Sequence, residues 1–196
     1  MTRFVGLTGG IGAGKSEALA AFERLGAATL STDRVAHELL DDDEVKAAIV
    51  ERWGEEIAPG GSVDRDRLGE IVFNDREELA WLESVTHPQV GAHVLDWRRS
   101  LDPAVRVAVV EVPLLFEAAM EDAFDATVAV IADDELRDAR LRGRSQGGLE
   151  GREARQLDQA EKAHRADHVI RNDASLEELE SEVSLVIDQL SGGEGE

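Results

Sequence analysis

Phe4-Val5-Gly6-Leu7 is an apolar run that ends in Thr8-Gly9-Gly10-Ile11-Gly12-Ala13-Gly14-Lys15-Ser16, after which apolar residues recur at helical spacing to about Leu25. A buried strand that breaks into glycines and reopens as a helix limits the possible folds more than any other part of this chain. Gly9-x4-Gly14-Lys15-Ser16 satisfies the phosphate-loop pattern G-x-x-x-x-G-K-[ST]. Glycines reach positive φ and lack Cβ, so the backbone from Gly9 through Gly10, Ile11, Gly12, Ala13 and Gly14 can wrap closely around an anion. Successive N–H groups form a concave nest, and the following helix adds the positive end of its dipole. Lys15 is spaced to reach the β- and γ-phosphates, and the Ser16 hydroxyl to ligate Mg²⁺.

Charge limits what else can bind. The 196 residues carry 42 acidic and 21 basic side chains, a formal net charge of −21. Such a field repels polyanions, which disfavours a general nucleic-acid role. It also repels ATP, so a nucleotide site must be locally positive. Between residues 137 and 165 Lys and Arg outnumber Asp and Glu. That stretch is either a second phosphate contact or a solvated helical hairpin of mixed charge. Without cysteine there is no disulfide framework, thiolate metal site or thiol nucleophile. No apolar run approaches the ~18 residues of a membrane span. Met1-Thr2-Arg3-Phe4 leads straight into the first strand, which predicts no secretory leader and a cytoplasmic location.

Strand and helix patterns alternate along the chain, predicting an α/β fold with a parallel sheet and helices on both faces. Strands are expected at Phe4–Leu7, Ala27–Ser31, Val105–Val112, Ala126–Ala132 and Ala166–Arg171. Between the second and third lies a helical block, 34–101, too long for a simple crossover. Its helices are expected from Val35, from Asp41 to about Trp53, from Asp64 to Phe73, and from Asp75 to about Leu101 with a break near His87-Pro88. Asp133-Asp134 opens a helix bearing Arg137, Arg140 and Arg144, Gly143 to Gly151 reads as a flexible tip, and Glu150 to Arg165 returns as helix. Ser175-Leu176-Glu177-Glu178 is a capping box for a closing helix, and 191–196 reads as a disordered tail. The whole, 1–190, is one domain with core segments 1–33, 102–136 and 166–190, an insertion 34–101 and a lid 137–165.

A phosphate loop after the first strand puts the nucleotide at the C-terminal edge of the sheet, where other strand ends also converge. Asp33, after the second strand, is a candidate general base, since transfer to a hydroxyl needs a group that orients it and accepts its proton. It is equally a candidate helix N-cap. Glu111 is placed to support Mg²⁺, or else faces a sheet edge. Arg140 and Arg144 lie one helical turn apart and could offset charge on a transferring phosphoryl group. His87-Pro88 reads first as a helix break and second as a pocket residue. His37, His93, His164 and His168 have no metal-ligand spacing, and Phe22, Trp53, Trp81 and Phe116 read as core.

Together these residues resemble the dephospho-coenzyme A kinases over nearly the whole chain, from about Phe4 to Leu190. The resemblance rests on Leu7 to Ser16, on Asp33-Arg34-Val35-Ala36-His37, on His87-Pro88 and on Val112-Pro113-Leu114-Leu115-Phe116-Glu117. It rests further on Arg140-x3-Arg144, Arg155-x3-Gln159, Ala166-Asp167 and Ile170-x-Asn172. It implies a three-layer P-loop kinase fold with a five-stranded parallel sheet, a helical substrate insertion and a mobile lid. It implies phosphoryl transfer from ATP, with Mg²⁺, to the ribose 3′-hydroxyl of dephospho-coenzyme A; apart from that resemblance, the chain is expected to act as a monomer with weak self-association at most. By motif, Asp33 is the base, and Lys15 and Ser16 hold phosphate and metal. Arg140 and Arg144 belong to the lid, His87, Leu114, Phe116 and Glu117 border the acceptor, and Asn172 sits near adenine. Glu17 departs from the pattern: family members often have Thr there, and a carboxylate must turn away from the α-phosphate.

Another small-molecule kinase, of nucleoside monophosphate or gluconate type, shares the loop and lid and differs in the acceptor block. A nucleotide-dependent switch is suggested only by Asp66-x-x-Gly69, in a stretch that reads as helix.

Overall fold

The computed structural model describes residues 1–142 and 155–192. Its contacts divide these into two compact units, one of residues 1–31, 100–142 and 155–192, the other of 32–99. The first contains a single sheet of β1 (Arg3–Gly9), β2 (Ala28–Ser31), β3 (Val107–Glu111), β4 (Ala126–Ile131) and β5 (His168–Arg171), ordered β2-β3-β1-β4-β5. Every pairing is parallel. The sheet is parallel because helical connections separate the strands, and its strands are nearly all apolar because helices cover both faces.

Side chains alternate across this sheet as the pleat requires. Val5, Leu7, Val107, Val109, Val128, Val130 and Ile170 face α1 (Lys15–Arg24) and the closing helix, here α8 (Leu176–Ser191), in one core. Phe22 of α1 and Val183 of α8 are fully buried there, each contributing about 1.5–3 kcal/mol by leaving water. Phe4 faces the other way and stacks on Phe124 at 5.1 Å. That second face is covered in part by α7 (Gln159–Arg165), which packs on β4 and β1. Ser175 accepts from the Glu178 N–H while Glu178 accepts from Ser175, so the capping box forms as expected.

The second unit is helical: α2 (Thr32–Leu39), α3 (Asp43–Trp53), α4 (Arg65–Asn74) and α5 (Arg76–Ser100). Aspartates start three of these helices. Asp42 accepts from the N–H groups of Glu44 and Val45, Asp64 from Arg67, and Asp75 from Glu77 and Glu78. Each satisfies donors that the first helical turn leaves unpaired. Val45, Ile49, Ile57, Leu68 and Val72 form the core of this unit, with Trp53 and Trp81 edge-to-face at its margin.

Three sequence expectations change. The helix from Arg76 does not break at His87-Pro88 but runs 25 residues through Pro88. Pro88 costs one backbone hydrogen bond, and Thr86, buried in the same stretch, donates its hydroxyl to the Leu82 carbonyl. Glu111 does not face a sheet edge: β3 is an interior strand, and Glu111 is buried opposite Leu7 and Ser31. The helix expected from Glu150 to Arg165 begins only at Gln159, capped by Asp158, within the described residues. The expected glycine-rich tip and Arg144 lie outside those residues. Asp66 and Gly69 fall inside α4, which leaves no switch loop there.

Candidate active site

The phosphate loop joins the C-terminal end of β1 to α1, with Gly14 at the helix N-cap in a left-handed conformation, φ 92° and ψ 31°. The loop's glycines serve close approach as well as φ. A Cβ on Gly9 would overlap the Val130 carbonyl of the neighbouring strand, and one on Gly14 would overlap Asn172 Nδ2. Ala13 is fully buried and donates its N–H to the Gly10 carbonyl at 3.2 Å, which closes the turn.

Side chains behind the loop hold its carbonyl groups. They come from α6 (Asp134–Arg142) and from Asn172 just after β5. Arg137 Nε donates to the Ile11 carbonyl at 3.0 Å, and Arg140 Nη1 to the Gly12 carbonyl at 3.3 Å, with Ala13 O at 3.5 Å. Asn172, buried, donates its amide to the Ala13 carbonyl at 2.9 Å, and its own carbonyl accepts from Arg140 Nη2 at 3.0 Å. In a trans peptide the C=O and the next N–H point in opposite directions, and no peptide in the described chain is cis. Fixing the carbonyls of Ile11 and Ala13 on one side therefore turns the N–H groups of Gly12 and Gly14 toward the other, while the Ala13 N–H stays within the turn. That is the geometry of an anion nest.

Lys15 Nζ reaches back to the carbonyls of Gly9 and Gly10, each at 3.1 Å. Ser16 is exposed in the first turn of α1. Glu17 turns along the helix: its Oε1 lies 3.3 Å from Arg24 Nη2, and Arg24 also pairs with Glu180 on α8. Asp33 is exposed in the first turn of α2, two residues beyond the end of β2. It lies inside the helix and is not its cap, and among the described residues no hydrogen bond or ion pair engages it. His87 is exposed on α5.

Leu114 to Glu117 follow β3. Phe116 is buried, with the Arg165 guanidinium 4.8 Å from its ring centroid. Glu117 points inward to a lysine that sequence reading places only in the basic stretch. Lys162, on α7, is fully buried. Its Nζ donates to the Pro113 carbonyl at 2.7 Å and to Thr8 Oγ1 at 3.3 Å, and lies 3.0 Å from Glu117 Oε1. Burial pushes the Lys162 ammonium below the usual lysine range, opposed by the hydrogen bond and charge of Glu117. Gln159, one helical turn earlier, clamps the end of β4: its amide donates to the Ala132 carbonyl at 2.8 Å and accepts the Ala132 N–H at 3.1 Å. Arg137 and Lys162 are site-edge residues to which sequence reading gave no role, and Gln159 entered it only as part of a family motif. The signal for Lys162 was its i,i+3 spacing from Gln159, which puts both on one helix face.

The oxygen donors offered here suit Mg²⁺, which takes one or two protein oxygens with phosphates and water completing its octahedron. The Ser16 hydroxyl at the helix start fits that role. Among the described residues no three His, Asp or Glu side chains gather as a self-sufficient metal cage, and an ion shared with phosphate needs none.

Comparisons with known proteins agree with this geometry. A family model described as dephospho-CoA kinase matches residues 3–178. A dephospho-CoA kinase of Streptomyces avermitilis is 41% identical over 187 residues, covering 91% of this chain and 89% of that protein. A solved structure from Thermus thermophilus superposes with a TM-score of 0.80 at 34% identity, over 97% of this chain and 99% of the other. The dephospho-CoA kinase of Campylobacter jejuni gives 0.66 at 29%, over 96% and 97%. The chain belongs to the dephospho-CoA kinase family.

Proposed function

We propose that this protein transfers the γ-phosphoryl group of ATP to the ribose 3′-hydroxyl of dephospho-CoA, the step that completes coenzyme A. The observation that carries this reading is the family match over residues 3–178, on a sheet whose phosphate loop is intact. The loop N–H groups and Lys15 hold the β- and γ-phosphates, and Arg137 and Arg140 keep the loop in register from behind. Mg²⁺, when bound through Ser16, supplies charge neutralisation between those phosphates. Asp33 accepts the proton of the attacking hydroxyl. Its exposure, its lack of any partner among the described residues and its place just after β2 support this role. Leu114, Phe116 and Glu117 form or back the wall on the acceptor side, and His87 is assigned to the acceptor by its motif alone. Asn172 acts at the nucleotide as a support of the loop.

No helix among the described residues is long and apolar enough to cross a membrane. We take the enzyme to act on small molecules and not on nucleic acid, which a net charge of −21 disfavours, and to do so as a cytoplasmic monomer. The position of transfer is tested by phosphorus NMR of the product. A new phosphomonoester coupled to the ribose 3′ proton is expected, and a phosphate at another hydroxyl would refute the assignment.

A further inference from the structure

We infer that Lys162 is a positioning residue for the acceptor side of the reaction, acting through Glu117 and the chain after β3. This rests on the phosphotransfer reading above and adds a residue to it. The first observation is topological. In the order β2-β3-β1, the chain leaving β3 lies between the chain leaving β1, which is the phosphate loop, and the chain leaving β2, which leads to Asp33. Whatever fixes residues 113–117 therefore fixes the chain beside the phosphate loop, at the edge of the sheet where the acceptor is read to approach.

The second observation is what does the fixing. Lys162 Nζ holds the Pro113 carbonyl at 2.7 Å, Glu117 Oε1 at 3.0 Å and Thr8 Oγ1 at 3.3 Å. Thr8 immediately precedes Gly9, and its hydroxyl donates to the same Pro113 carbonyl at 3.1 Å. Glu117 Oε1 also accepts the Leu157 N–H at 2.7 Å. One ammonium thus ties both ends of the 113–117 turn to the strand that opens the phosphate loop. A lysine with no exposed surface is costly to ionise unless it is paired and hydrogen-bonded, and all three of its donors are used here. Glu117 Oε2 is buried with no hydrogen-bond partner among the described residues, so the carboxylate is held chiefly by its other oxygen. An apolar side chain would fill the same space without setting the register of Pro113, Glu117 and Thr8 at once. The phosphate loop has separate supports in Arg137, Arg140 and Asn172. Loss of Lys162 should therefore affect the acceptor more than ATP.

The test uses the whole protein and three variants, Lys162→Met, Glu117→Gln and the double variant. Lys162→Met leaves a buried carboxylate without its counter-charge and is expected to lose stability. The double variant removes both charges and is expected to recover much of that loss. Steady-state kinetics are measured with ATP and with dephospho-CoA varied in turn, beside a thermal melt. The wild-type rate on dephospho-CoA tests the underlying reading separately. Misplacement of the acceptor by about 1 Å predicts a fall of about ten- to a hundredfold in kcat/KM for dephospho-CoA in the double variant, with KM for ATP within about threefold. A folded variant, single or double, that keeps the wild-type kcat and acceptor KM overturns the proposal, as does an equal loss for both substrates.

Discussion

Asn172 fills the space that a side chain on Gly14 would need. Its amide nitrogen donates to the Ala13 carbonyl at 2.9 Å, directly where a Cβ on Gly14 would project. Gly14 is thus excluded from substitution twice, by its left-handed φ of 92° and by Asn172. Gly14→Ala is expected to cost roughly 1–3 kcal/mol from backbone strain alone. For a chain of this size that lowers Tm by several degrees, roughly 2–4 °C per kcal/mol. Adding Asn172→Ala should relieve the overlap but not the φ, so the double variant should melt above the additive expectation and below wild type. Calorimetry of the four proteins checks this.

Arg137 and Arg140 hold the loop carbonyls and turn the N–H groups to the other side. Arg137→Met removes a charged hydrogen bond to the Ile11 carbonyl. Such bonds contribute about 1.5–3 kcal/mol, so KM for ATP should rise roughly tenfold or more. Arg140→Met, which releases the Gly12 and Asn172 carbonyls together, should do at least as much. In both variants KM for dephospho-CoA should stay near wild type, which separates this effect from that of Lys162.

Glu17 sits where a carboxylate is unwelcome beside phosphate, yet its side chain pairs with Arg24. Both groups are about half exposed, and such pairs contribute roughly 0–1 kcal/mol. Glu17→Gln should therefore shift Tm by no more than a few degrees, roughly 2–4 °C, and leave KM for ATP within about threefold. Isothermal titration with a non-hydrolysable ATP analogue reads the affinity directly.

In the helical unit the Arg52 guanidinium, hydrogen-bonded to Glu78 at 2.6 Å, holds that carboxyl below its ordinary value of 4.5, with Arg52's charge and the Trp53 indole adding to the effect. A carboxylate with a depressed folded pKa stabilises above its unfolded pKa, and that contribution is lost as pH falls through the folded value. Glu78→Gln should melt below wild type near neutral pH, with the gap closing as pH drops below about 4. A gap that persists in acid would assign the loss to packing against Trp53 and Trp81.

The phosphate loop, the five strands, the capping box at Ser175 and the closing helix were all legible because each is local: a few residues at fixed spacing determine the backbone. What the sequence hid is depth. Lys162 counted as one more positive charge in a basic stretch, although it is the most buried charge described, because a charge count does not register which face of a short helix meets the sheet. Arg140 was legible as a functional arginine, but its contact to the loop carbonyls depends on the tertiary approach of α6. Pro88 reads as a break from its missing N–H. The helix nevertheless continues to Ser100, one lost bond being too small a cost to end a helix anchored by Trp81, Leu82 and Val85 before it. Asp33 stood equally as base or cap, and the start of α2 at Thr32 removes the cap.

The most direct measurement is a coupled assay of the purified protein with ATP·Mg²⁺ and a panel of acceptors, repeated with Asp33→Asn. Dephospho-CoA should be phosphorylated well ahead of nucleoside monophosphates and gluconate. Asp33→Asn should cut kcat by roughly 10²–10⁴-fold with little change in KM for ATP. Turnover of a nucleotide or gluconate without turnover of dephospho-CoA would contradict the assignment, and an Asp33→Asn protein of undiminished kcat would contradict the mechanism.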